Sequence, residues 1–76
     1  MDTQRTLSAV IREALAERGI TTLRAAADAT GIDKDAIRRR YHGITPWTYP
    51  DDIEKVATYL DLPASELVAR VEGRAA

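Results

Sequence analysis

The chain has 76 residues, a formal net charge of -1, 45% hydrophobic and 30% charged residues, one histidine and no cysteine. One domain, residues 1–76 with an ordered core over about 6–73, is the economical reading, and the cysteine and histidine counts exclude disulfides, structural zinc and iron–sulfur centres, so neither metal nor cofactor is expected. No apolar run approaches the roughly 18 residues of a membrane span and the opening residues form no leader, so a cytoplasmic protein is expected.

Leu7, Val10, Ile11, Ala14 and Leu15 recur at helical spacing and predict a first helix over residues 6–18, ended at Gly19. Thr22 is a natural N-cap for a second, alanine-rich helix over 23–29, where Ala26 and Ala27 permit close approach of a neighbour and Gly31 breaks the helix. Asp33 caps a third helix, 34–41, closed by Gly43. A loop over 44–50 follows, holding Trp47 and Tyr49 between two prolines.

Thr48 and Asp51 fit a loose capping box for a fourth helix with Ile53, Val56, Ala57 and Leu60 inward, and Asp51 and Asp52 suit its positive end. Adjacent carboxylates there read as caps rather than as a metal or acid–base pair. Pro63 opens a fifth helix with Leu67, Val68 and Val71 inward, a Glu66–Arg70 pair and Gly73 at its end, and both chain ends beyond the core are expected to fray. No segment alternates with period two, so the fold expected is all-α, a compact five-helix domain.

Two short helices joined by a three- or four-residue turn containing glycine make a helix-turn-helix, whose second helix enters the DNA major groove. Helices two and three carry the spacing that this motif needs. Ala27 is small where the helices cross, Gly31 lies four residues on in the turn, and Ile32 and Ile37 pin the second helix to the core.

With those positions, and with residues 53–67 reading as two further helices, the chain resembles the Cro/CI-type repressor domains of phages and bacteria, the XRE family of helix-turn-helix proteins. The resemblance runs over roughly residues 7–71 and is best over 26–37 and 53–67. It implies a lambda-repressor-like domain that binds a double-stranded, palindromic DNA operator as a homodimer inside a bacterial host. The size is closest to a Cro-like phage or prophage repressor acting by operator occupancy, with no membrane and no small-molecule ligand involved.

A helical wheel puts Lys34, Arg38 and His42 on one stripe, Asp35 and Arg39 on the next, and Ala36, Ile37 and Arg40 opposite. The resemblance implies that Lys34, Asp35, Arg38 and Arg39 read bases, Arg38 nearer the phosphates, and that Thr22, His42, Thr45, Trp47 and Thr48 lie along the DNA backbone. The chemistry agrees: arginine reads guanine bidentately, and aspartate accepts from cytosine. Five cations face three anions over residues 21–50, whereas six anions outnumber three cations over 51–76. The basic charge thus gathers around the reading helix, although the chain as a whole is acidic.

Three positions depart from the family pattern. Arg40 stands where an aliphatic residue is usual, on the buried side of its helix, and is expected to pair with a carboxylate such as Glu13, Glu17 or Glu54; the alternatives are an escaping head group or Tyr41 filling the gap. Leu23 replaces a polar residue that would touch phosphate, leaving Thr22 or the helix amides to do so, and the acidic pair Asp51–Asp52 disfavours close phosphate contact at the fourth helix.

The rings of Trp47 and Tyr49 have three uses open to them: covering the core edge, a dimer contact, or stacking on the DNA backbone. Leu62, Leu67, Val68 and Val71 offer apolar surface for a dimer. Nothing in the chain assembles catalytic chemistry, so an enzyme is not expected. The rival class is a protein-binding module on the same fold, such as an antitoxin or anti-repressor.

Overall fold

The computed structural model describes residues 3–75 and contains five helices: α1 Thr3–Glu17, α2 Leu23–Thr30, α3 Lys34–Tyr41, α4 Asp51–Leu60 and α5 Ala64–Ala75. No strand occurs among the described residues, and no helix is long and apolar enough to cross a membrane. α1 lies along α5 and also meets α3 and α4, while α2 packs on α3 and α4. Ile11, Leu15, Ile37, Ile53, Val56 and Leu67 are fully buried at the centre, one or more from every helix except α2, which contributes Ala26. Large aliphatic side chains from four helices thus converge on one core, the main favourable term for so short a chain.

The ends of the helices follow from local chemistry. Thr22 is extended, and its hydroxyl accepts the Ala25 N–H at 3.1 Å; Asp33 accepts from the N–H groups of Asp35 and Ala36. α1, α3 and α4 end in the same way. In each, a residue at or just past the cap is left-handed and its N–H and the next one return to carbonyls near the helix end, as in Gly43 to Arg40 and Ile44 to Arg39. Glycine fills that left-handed position after α1 and α3, whereas Asp61 fills it after α4 with φ of 57°. The α4 end has a second tie, because the Arg18 guanidinium donates to the Leu60 carbonyl at 2.6 Å.

Four sequence expectations are corrected. α1 begins at Thr3 rather than residue 6, since the Gln4 side chain accepts the Trp47 N–H at 2.6 Å and docks the first turn on the loop. α5 does not stop at Gly73; it continues to Ala75, and Arg74 forms an ion pair with Glu13 that ties the last turn to α1. The ends expected to fray are therefore helical where described, while Met1, Asp2 and Ala76 lie outside the described residues. Val68 points outward with 38% exposure, whereas Leu67 and Val71 are buried and Leu62 is half-buried, so most of the apolar surface expected for a dimer is already used within the chain. Finally, the capping box expected at Thr48 and Asp51 does not form: the N-cap of α4 is Pro50, without a side-chain cap bond, and Thr48 instead bonds Asp52, four residues on.

The left-handed Asp61 yields a test. An L residue is disfavoured in this region by about 1 kcal/mol, a penalty glycine escapes. Asp61→Gly is expected to raise unfolding stability by up to about 1 kcal/mol, read from urea midpoints at constant m-value. A destabilised variant would show that the aspartate side chain contributes more at this turn than its backbone strain removes.

Candidate nucleic-acid interface

α2 and α3 are joined by three residues, Gly31, Ile32 and Asp33, and pack on one another. Gly31 has φ of 78° and returns its N–H to the Ala27 carbonyl at 2.9 Å, a conformation that a side chain would oppose. Ile32 and Ile37 are buried on either side of the α3 start. The small residue fully buried in α2 is Ala26; Ala27, expected at the crossing, is half-buried and packs at the core margin. The sequence reading missed Thr30, whose buried hydroxyl donates to the Ala26 carbonyl and accepts the Ile32 N–H, satisfying the turn from inside.

With Ile37 inward, α3 turns Lys34, Asp35, Arg38 and Arg39 to solvent on one contiguous face. Arg38 and Asp35 lean toward each other at 4.0 Å, a loose exposed pair that leaves both heads accessible. Arg39 and Lys34 have no carboxylate partner among the described residues. His42 is exposed at the end of α3, Thr48 is exposed and Thr45 partly so in the following loop, and Thr22 is exposed at the start of α2.

Trp47 is the exception, and it is withdrawn from the interface. Its ring is 5% exposed and its indole N–H donates to the Ser8 hydroxyl at 2.7 Å, so it belongs to the core. Leu23, similarly, packs on the core margin. Its apolar character is explained by burial.

Behind the exposed face lies a polar network. Arg40 Nε donates to Asp52 Oδ2 at 2.6 Å with both side chains largely buried, and Arg40 Nη1 donates to the Ala36 carbonyl at 3.0 Å. The same Asp52 oxygen accepts the Thr48 N–H at 2.9 Å, and Thr48 Oγ1 accepts the Asp52 N–H. Ser8, which accepts the Trp47 indole N–H, donates its own O–H to the Arg40 carbonyl at 3.0 Å. α3 is thereby fixed to α1, to the loop and to α4 around a single arginine, and no buried side-chain polar atom among the described residues lacks a partner.

Arg40 is paired, as expected, but with Asp52 rather than Glu13, Glu17 or Glu54. Asp52, read from the sequence as a helix cap, instead lies within the first turn of α4, which has no side-chain cap bond, and holds this ion pair. Two signals pointed here: the serine on the buried stripe of α1, and a second acid one residue beyond the assumed capping position.

Burial alone would raise the Asp52 pKa, but the Thr48 N–H, the Arg40 guanidinium and the Thr48 hydroxyl outweigh it and hold the carboxyl below its ordinary value. Burial raises the phenol of Tyr41, and the charge of nearby Arg12 partly offsets this. Compared with protein-family models, curated proteins and solved structures, the chain gave no significant match.

Removing one partner of a buried pair strands the other, so Arg40→Met is expected to destabilise the fold by about 3 kcal/mol, with Asp52→Leu in the same chain recovering most of the loss. A neutral single variant would mean that the guanidinium only packs. Because the folded-state pKa of Asp52 lies below the unfolded one, its contribution is complete above the ordinary value of 3.8 and drains away as pH falls through the folded value. Stability below that pH should therefore fall more steeply in the natural chain than in the double variant, as followed by circular dichroism.

Proposed function

We propose that this chain is a sequence-specific double-stranded DNA-binding regulator of the Cro/CI type. In this reading α2 and α3 form its helix-turn-helix and α3 enters the major groove. One observation carries it: a short helix whose inner face is fixed by Ile37 and the Arg40–Asp52 pair presents Lys34, Asp35, Arg38 and Arg39 together on the opposite face. A reading helix needs that combination, since base edges are discriminated by a few side chains held in fixed register. The three-residue turn with its left-handed glycine supports the same reading.

In this proposal Thr22, His42, Thr45 and Thr48 lie along the backbone, and an operator-bound homodimer represses by occluding the promoter. The acidic total makes non-specific attraction weak, so affinity rests on base contacts and two-fold avidity. A second reading, a protein-binding module, is favoured by Ile44, which stands 67% exposed beside the end of α3.

Selection from a randomised duplex library at near-physiological salt separates these. The expected result is an enriched inverted repeat with half-site centres about 10 base pairs apart; no enrichment would reject DNA reading in favour of the protein-binding module. On the selected duplex, Arg39→Ala is expected to reduce discrimination at one base position by about 1–3 kcal/mol, measured by competition with single-base variants.

A further inference from the structure

A cleft of about 540 Å³ opens between α1 and the end of α3, lined by Arg5, Ser8, Arg12, Tyr41 and His42 among others, and no carboxylate of the described residues lines it. Arg5 and Arg12 are two turns apart on the same stripe of α1, with Ser8 and Ala9 between them. The Arg12 guanidinium carbon lies 4.9 Å from the centroid of the Tyr41 ring. Tyr41 is in turn half-buried against Trp47, at 6.0 Å between ring centres, so the platform under Arg12 is set by the core. Stacking uses the face of a guanidinium and leaves its edge N–H donors to meet an anion.

Arg12 differs from most arginines of the chain. Arg38, Arg40, Arg70 and Arg74 pair with carboxylates, and Arg18 donates to a backbone carbonyl. Arg12 has no carboxylate partner among the described residues, and its chain neighbour Glu13 pairs with Arg74. A guanidinium stacked on a ring, in a concave wall whose described residues supply no acid, raises the local potential for an anion.

The location narrows the anion. His42 continues the exposed stripe of Lys34 and Arg38, while Arg12 also borders a second groove that contains Thr22. Arg12 therefore stands between the two ends of the helix pair, at Thr22 and at His42, that flank the face offered to a duplex.

We infer that this cleft is a phosphate site in which Arg12, with His42, takes a phosphodiester of the duplex read by α3. This rests on the DNA-reading proposal and extends its footprint to α1, where no contact was expected from the sequence. The contact adds affinity without sequence information, because every nucleotide carries the same phosphate.

The test is fluorescence-anisotropy titration of a mixed-sequence duplex and of the selected duplex across a salt series, using the full chain, Arg12→Gln and Ala9→Glu. The second variant places a carboxylate in the cleft and leaves the Arg12–Tyr41 stack in place. Arg12→Gln is expected to weaken binding of both duplexes by the same factor and to flatten the slope of log affinity against log salt by about 0.9, with base preference and melting temperature unchanged. Ala9→Glu is expected to weaken both duplexes at least as much.

If the natural chain binds duplex and both variants match it in slope and affinity, the phosphate site is overturned and DNA reading stands. Failure of the natural chain to bind any duplex overturns both. Inorganic phosphate titrated into the chain identifies the other source of the same chemistry: saturation that shifts the Arg12 Nε resonance, together with an unchanged duplex slope, would overturn the duplex assignment in favour of a free anion.

Discussion

Between α3 and α4 a guanidinium and a carboxylate meet at 2.6 Å in a setting that would penalise either one alone, and the geometry of the exposed face depends on their meeting. Asp52 uses one oxygen twice, for Arg40 and for the Thr48 N–H, so the bond that orients α3 also sets the start of α4. Ser8 and Trp47 close the remaining side through the Arg40 carbonyl. An aliphatic residue at position 40 would fill the same volume without specifying how α3 is turned about its axis. A charged hydrogen-bonded pair has angular demands as well as bulk, which is the physical advantage of so expensive an arrangement.

Helix identity was legible because the signals were local. Thr22, Asp33, Gly19, Gly31 and Gly43 act at or beside the residues they cap, and the apolar spacing of α1 and α4 marks their inner faces directly. The illegible parts were those settled by residues far apart in the chain. Gln4 meets Trp47, Arg74 meets Glu13 and Arg18 meets the Leu60 carbonyl, so helix ends that lack local punctuation are extended or closed from a distance. Gly73 shows the reverse error: a glycine near a helix end is a stop only if the chain takes the left-handed turn, and here tertiary contact keeps α5 helical through it.

The same division runs through the candidate site. The outward set on α3 could be read from a wheel because Ile37 fixes the phase of an eight-residue helix. The wheel also marked Arg40 as an inward charge needing a partner, yet could not choose Asp52 from among the acids, because that choice depends on how α4 lies across α3. Trp47 failed as a backbone contact for a related reason: Ser8 offers its indole a hydrogen-bond acceptor inside the fold, something sequence order conceals. Arg12 escaped notice because its distinction lies in Tyr41 beneath it, 29 positions on in the chain.

The separation of α3 into a bonded inner face and a solvent-facing outer one has an evolutionary consequence. Lys34, Asp35, Arg38 and Arg39 support the fold only weakly, so under the proposed function their identities can drift singly and reach new recognition sequences while the helix keeps its pose. Positions 40 and 52 do not have that freedom. A change at either strands a charge at the other, so the scaffold can alter there only by paired replacement, and descendants of this chain should be diverse on one side of α3 and locked together on the other.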